Sequence, residues 1–468
     1  MTHSLLRSPV SAKGQAVGAA ATALLLVWSS IALADPFTTP GGYEGRISAQ
    51  GANRSPIFAG SKAEIEAQGL APNQPVSLRQ AGEVLGNGAS FAADDKGNLK
   101  AELEIPATAK AGLYPVVAEL GGDTPSATVF DLKVSKQLPF SGSENYALKS
   151  VEIVRNPYQV AVGKDAIYVT GAVGRPPVKE SELAKIDPQS MEITTRVTPQ
   201  AAPSKGDREG GVFAVYGIGL DEQDHQVWVT NSRQNTVAVY DSKDLSLIKQ
   251  FPEDSVDHPR DVLLANGKAY VSATFTPEIY VFDAKHLDAE PAVIEIPSSQ
   301  RGQRFAAASL SLAPEANELF VSSLGSNEVA VIDLKDDSVK ATWKVPHSVS
   351  TIGVAASADG SRVYTVAQGN DAVSILDGKT GALIKQVNVG ANPLNAVVEP
   401  KSGNIFVALR GAHAVAVISP EGELLANLDV GSTPNHLTQD GAGNVYVVNK
   451  SGGEDDPTAN RLTRISAK

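Results

Sequence analysis

One short motif recurs along the C-terminal part of this chain, and no other feature restricts its fold so tightly. A triplet with an aromatic residue at its centre stands at Ile167-Tyr168-Val169, Val227-Trp228-Val229, Ala269-Tyr270-Val271, Leu319-Phe320-Val321, Val363-Tyr364-Thr365, Ile405-Phe406-Val407 and Val445-Tyr446-Val447. Successive aromatics lie about 60, 42, 50, 44, 42 and 40 residues apart. That spacing is the length of a four-stranded propeller blade, so the seven copies predict a seven-bladed β-propeller.

Each triplet is followed by a polar loop and a further strand that mostly ends in Asp, at Asp187, Asp241, Asp283, Asp333 and Asp377, with Ser419 and Ser466 in the last two copies. Short polar side chains recurring at strand ends are turn caps, not catalysts. An apolar strand opens each unit, as in Pro259-Arg260-Asp261-Val262-Leu263. Such strands lack clean alternation, as expected where both faces are buried. The final unit, residues 434–468, supplies only three strands. The stretch from Tyr146 to Val154 is therefore expected to return as its outer strand and close the ring, which removes exposed sheet edges.

Upstream the pattern differs. Residues 45–134 alternate polar and apolar side chains, as in Ala63-Glu64-Ile65-Glu66-Ala67 and Val76-Ser77-Leu78-Arg79, between turn clusters such as Asp94-Asp95-Lys96-Gly97-Asn98. Period two predicts half-buried strands, and the spacing of the turns predicts a small β-sandwich. Asp94-Asp95 reads as a solvated hairpin turn rather than a calcium site. Residues 135–144 then form a linker, and 145–468 the propeller. The segments "AGSKAEIEAQGLAPNQPVSL" and "DDKGNLKAELEIPATAKAGLYPV" resemble bacterial immunoglobulin-like modules.

At the N-terminus, Arg7 and Lys13 precede an apolar run from Ala16 to Leu33 that ends in Ala32-Leu33-Ala34. This is the pattern of a signal peptide, residues 1–34, cleaved before Asp35, and it predicts a periplasmic protein with no integral membrane segment in the mature chain. The formal charge is −12, or −14 without Arg7 and Lys13. A balance this acidic opposes non-specific binding to nucleic acid while leaving room for a local basic patch. The chain has no cysteine, so disulfides, thiolate metal sites and covalent haem are excluded.

The segments "IYVTGAVG", "VWVTNSRQNTVAVYD", "LFVSSLGSNEVAVID" and "VYTVAQGNDAVSILD" resemble the YVTN-type β-propeller repeat family over about residues 144–468. Within it, "ELAKIDPQSMEITTRV" and "HPRDVLLANGKAYVS" are most similar to the periplasmic YncE-type propeller. The resemblance implies seven blades and points to single-stranded DNA as a ligand. The added N-terminal sandwich is a departure from that pattern.

In an up-and-down blade, the loop entering the first strand and the loop joining the second and third lie at the same end. These loops carry Arg155, Tyr158 and Arg175 in the first unit, Tyr216 and Arg233 in the second, and His258, Arg260 and Phe275 in the third. Arg304 and Phe305 follow in the fourth, Asn395, Arg410 and His413 in the sixth, and His436 and Lys450 in the seventh. Guanidinium groups pair with phosphates and carboxylates, and aromatic faces accept bases. The expected ligand-binding set is Arg155, Tyr158, Arg175, Tyr216, Arg233, Arg260, Arg304, Phe305, Arg410, His436 and Lys450. The bland alternative for each is an arginine paired with a nearby Asp or an aromatic filling the channel.

Metal ligation needs clustered donors, and His225, His258, His286, His347, His413 and His436 stand singly, without metal-ligand spacing. A convergence of His258, His413 and His436 at the mouth is the feature that would revive an enzyme. No nucleophile elbow, phosphate-cradling loop or dinucleotide fingerprint is present. The chain reads as a binding module rather than an enzyme, with no cofactor, holding single-stranded DNA or another polyanion at the propeller mouth. The alternative is a protein-interaction scaffold using both domains with a periplasmic protein partner, and a propeller lyase or lactonase-type enzyme has least support.

Overall fold

The computed structural model describes residues 42–468 apart from Thr124, Lys205, Arg208, Ser451, Gly452 and Glu454. The expected signal peptide lies outside the described residues. Among those described, residues 43–468 form one compact unit, and no helix is long and apolar enough to cross a membrane.

The alternating N-terminal region folds as two facing sheets. Arg46–Gln50, Lys62–Gln68 and Leu99–Glu104 make a three-stranded antiparallel sheet. The second sheet is built on Pro75–Gln80, Gly112–Leu120 and Ser126–Ser135, with Ile57–Phe58 added in parallel at one edge. Period two puts Ala63, Ile65 and Ala67 on the inner face, where they meet Leu78, Leu103, Val116 and Leu132 in one apolar core. Asp94 Oδ1 accepts the N–H groups of Lys96 and Asn98, each at 2.8 Å, so the acidic pair belongs to a turn.

From residue 146 onward the described residues form seven four-stranded antiparallel sheets. Six are continuous in sequence, 157–197, 218–250, 259–295, 307–344, 351–388 and 393–429, and are blades one to six in that order. The seventh consists of Pro434–Gln439, Asn444–Asn449 and Arg461–Ala467, with Tyr146–Glu152 as its outer strand. The first strand of blade one, Pro157–Val162, contacts the first strands of both blade two and blade seven, so the sheets close into a ring.

The aromatic triplet sits on the second strand of every blade, and its central ring is at most 5 % exposed in each. The ring points toward the next blade. Tyr168 packs with Val227 and Val229 of blade two, Trp228 with Val262 and Phe282 of blade three, and Phe320 with Val354 and Leu376 of blade five. Tyr446 of the last blade packs with Val160 and Ile167 of the first. The flanking apolar residues face the preceding blade, because successive strand side chains alternate in direction.

Two residues beyond the aromatic, blades one to four carry a hydroxyl: Thr170, Thr230, Ser272 and Ser322. Each donates to a carbonyl at the start of the next blade: Tyr216, Arg260, Ala308 and Ile352 respectively. Each also accepts an N–H from the first strand of its own blade or the residue just before it, as from Asp261 at 3.0 Å and Gly217 at 2.8 Å. The repeat therefore encodes an apolar wedge and a polar staple side by side. The recurrent aspartates cap turns, as when Asp187 Oδ1 accepts from Ser190 N–H at 2.7 Å and Asp377 Oδ1 from Thr380 N–H at 2.9 Å.

Trp228 is fully buried against Phe251 and Phe282, and its indole N–H donates to Gln226 Oε1 at 2.8 Å. Trp228→Ala is expected to destabilise the ring by about 3–5 kcal/mol through cavity formation, read as a lower urea midpoint. Phe140 is 56 % exposed, and Phe140→Ala is expected to cost less than about 0.5 kcal/mol. Equal midpoints for the two variants would contradict the wedge role.

Candidate anion-binding site

Because the first and second strands of each blade are antiparallel, the start of every first strand and the loop after every second strand fall at one end of the central channel. There they enclose a cavity of about 250 Å³. A second opening at the other end is lined by the first strands of all seven blades, and Gln159, Asn395 and His436 line both. Gln159 Nε2 donates to Asp261 Oδ1 at 2.6 Å across the channel. Asp261 Oδ2 accepts the Leu310 N–H and Asn395 Oδ1 the Leu437 N–H. The first ties blade one to blade three across the channel, the second adds to the hydroxyl staple between blades three and four, and the third joins blades six and seven, where no such staple is present among the described residues.

The cavity wall contains Arg233, Arg260 and Arg410, with Tyr158, Tyr216, His258, Phe275 and His436, and among the described residues no Asp or Glu. Beside it stands Lys450, which is 7 % exposed, its Nζ 3.1 Å from the centroid of the Tyr158 ring. Among the described residues no carboxylate pairs with Lys450. Burial, with further repulsion from Arg410 and Arg260, lowers its pKa to about 6. The Nε of Arg260 is buried and makes no hydrogen bond among the described residues. Lys450 is thus buried beside Arg260 and Arg410, with no Asp or Glu in the described lining of the cavity, an arrangement that disfavours its charged form.

Burial favours the neutral form of both histidines of the cavity. Burial lowers His436 to about 4, partly opposed by Asp261, and its Nδ1 accepts the Val160 N–H at 3.4 Å. Burial and then Arg233 lower His258. Tyr158 and Tyr216 meet edge to face at 4.5 Å, with Arg233 Nε 3.4 Å from the Tyr216 hydroxyl. Phe275 is 61 % exposed at φ +76°, a strained backbone for a bulky residue, and its ring lies 5.3 Å from His258. Exposed strain of this kind concentrates at ligand sites.

Of the residues expected from the sequence, the structure brings Tyr158, Tyr216, Arg233, Arg260, Arg410 and His436 to one cavity and sets Lys450 against Tyr158. Four fall elsewhere. Arg155 is paired with Glu180 at 2.6 Å and does not line the cavity. Arg175 and Arg304 are exposed and outside the lining. Phe305 is 1 % exposed in the core between blades three and four, because its apolar ring packs with Tyr270 and Leu319 rather than facing solvent. His413 is absent from the lining and its Nδ1 accepts the Thr433 N–H at 3.1 Å. No group of three His, Cys, Asp or Glu residues is placed to hold a metal among the described residues. Sequence reasoning missed Gln159, Gln368 and Asn435, neutral residues whose type carries no signal.

No family model matches the chain, and no curated protein matches it. Solved structures do. Virginiamycin B lyase from Staphylococcus aureus superposes with a TM-score of 0.54 at 14 % identity, covering 69 % of this chain and 100 % of that one. A streptogramin B lyase gives 0.53 at 13 %, covering 70 % and 100 %. The WD40 β-propeller domain of Doa1 gives 0.51 at 11 %, covering 69 % and 97 %. The fold is a β-propeller. At these identities the likeness carries the fold and no activity.

Lys450 gives the propeller mouth a pH signature. Its proton leaves near pH 6 in the folded protein, whereas an unfolded lysine keeps it to about pH 10. Between those values the unfolded chain binds more protons, so this group's contribution to stability rises with pH. The unfolding free energy of wild type relative to Lys450→Met is therefore expected to move in favour of wild type from about pH 6 to about pH 9. A flat difference across that window would contradict an uncompensated buried amine.

Proposed function

We propose that the propeller mouth binds an anionic ligand, single-stranded nucleic acid or another polyanion, as a non-catalytic binding protein of the periplasm. The observation that carries this reading is the gathering of Arg260 and Arg410 in, and Lys450 beside, a cavity whose described lining has no carboxylate. A phosphate placed there supplies the missing counter-charge and restores the charged form of Lys450. The arginines offer bidentate donors for it. Phe275, 61 % exposed, provides an aromatic face on which a base stacks without sequence preference. The acidic balance of the rest of the chain confines attraction to this end of the ring. Export is supported by Arg7, Lys13 and the apolar run that follows them, and the YVTN-type resemblance supports the choice of nucleic acid.

Fluorescence anisotropy of a labelled oligodeoxythymidylate is expected to show saturable binding that weakens with salt. Arg260→Ala and Arg410→Ala should each weaken it roughly tenfold, the loss of a charged hydrogen bond of about 1.5 kcal/mol. Each should also lower the salt slope by about one. Arg304→Ala, outside the lining, should leave affinity unchanged. Absent or salt-insensitive binding would contradict the proposal, and salt-resistant capture of a protein by the mouth would favour the scaffold reading instead.

A further inference from the structure

The N-terminal sandwich meets the ring at the mouth, and the contact is made by a lysine that reaches between blades. Lys133 lies on the strand Ser126–Ser135. Its Nζ donates to Asp371 Oδ1 at 2.7 Å, to the Gln368 carbonyl at 2.9 Å and to Asn392 Oδ1 at 2.6 Å. The three donors of the ammonium are thereby all used. The Asp371 side chain is only 2 % exposed, and Lys133 is the cation that compensates it.

The contact continues toward the cavity. Asp371 Oδ1 also accepts the Asn392 N–H at 2.9 Å, and the Asn392 carbonyl accepts the Arg410 N–H at 3.0 Å. Gly411 N–H bonds to the Ala391 carbonyl. Asp371 and Asn392 both hold left-handed backbone, at φ +56° and +53°, conformations that local hydrogen bonds sustain. On the other side of the same loop, Pro56 of the sandwich lies so close to Gly411 that a Cβ there would stand 2.7 Å from its ring. Gln368 and Arg410 both line the mouth cavity.

We infer that Lys133 is a positioning residue for the mouth: the sandwich holds Gln368 directly and Arg410 through Asn392, so that the N-terminal region is a working part of the anion site. This rests on the mouth being that site. Because Asp371 neutralises Lys133, the lysine adds no free charge to the cavity and acts through geometry alone. Removing it leaves a buried carboxylate unpaired, which draws water and reopens the 368–371 and 391–392 turns.

The test is a double-mutant cycle read by oligodeoxythymidylate anisotropy at low salt, using the full mature chain. Lys133→Met should weaken binding roughly tenfold, and adding Arg410→Ala should cost little more, as expected for coupled neighbours. Combining Lys133→Met with Arg260→Ala, whose backbone is held by Thr230 instead, should be additive. The pair Lys133→Met with Asp371→Asn removes the stranded buried charge, so that it folds where the single variant fails, and it should show the same coupling to Arg410. Binding weakened by Arg410→Ala but unchanged by Lys133→Met, or additive losses at Lys133 and Arg410, would overturn this inference alone. Absence of binding in wild type would overturn the anion site together with it.

Discussion

Each blade of this protein is attached to the next by one buried aromatic ring, and the placement of everything at the mouth follows from that contact. A single four-stranded sheet of this length has two faces to bury and cannot do so alone. The ring from the second strand fills the space to the following blade, and its apolar neighbours fill the space behind. Tyr446 performs the same task between the last blade and the first, so the set of wedges has no end. The staples at Thr170 and Thr230 then fix the carbonyls of Tyr216 and Arg260, which are themselves residues of the cavity. Apolar packing sets the spacing of the blades, and hydrogen bonds set the register in which mouth residues are presented.

A frame closed in this way tolerates local costs. Among the described residues, Lys450 buried without a carboxylate partner, Arg260 with an unsatisfied Nε and Phe275 exposed on a strained backbone are each unfavourable in isolation. They occur together at one end of the channel, whereas at the turns between blades charges are capped or paired, as at Asp377 and at Lys268 with Asp337. Buried polar atoms without partners also occur elsewhere among the described residues, as at Thr342 Oγ1 and Gln250 Oε1, so what sets the mouth apart is such an atom standing together with a buried amine and an exposed aromatic on strained backbone.

The ring was legible because its determinants are local and repeated. The aromatic triplet, the Asp-ended strand and the three-stranded last unit specify blades, turn caps and closure with no knowledge of distant contacts. The sandwich was legible for the same reason, since alternation within Lys62–Gln68 and Leu99–Glu104 marks the inner face residue by residue. The mouth was readable only in part. Loop position and charge identified Arg233, Arg260 and Arg410, but whether an arginine is free depends on partners remote in sequence. Glu180 neutralises Arg155, and the apolar core between two blades withdraws Phe305. The same limit hid Gln159, whose partner Asp261 lies two blades away, and Lys133, whose acceptors lie more than two hundred residues downstream.

If a ligand supplies the negative charge that the described lining of the mouth lacks, its binding restores the charged form of Lys450. Calorimetry of oligodeoxythymidylate binding at about pH 8, run in two buffers of different ionisation enthalpy, counts the protons taken up. With burial lowering its pKa to about 6, Lys450 is expected to be largely neutral there and to regain its proton beside a phosphate, so uptake approaching about one proton per ligand is expected, and it should vanish in Lys450→Met. Binding without proton uptake, or the same uptake in Lys450→Met, would contradict the claim.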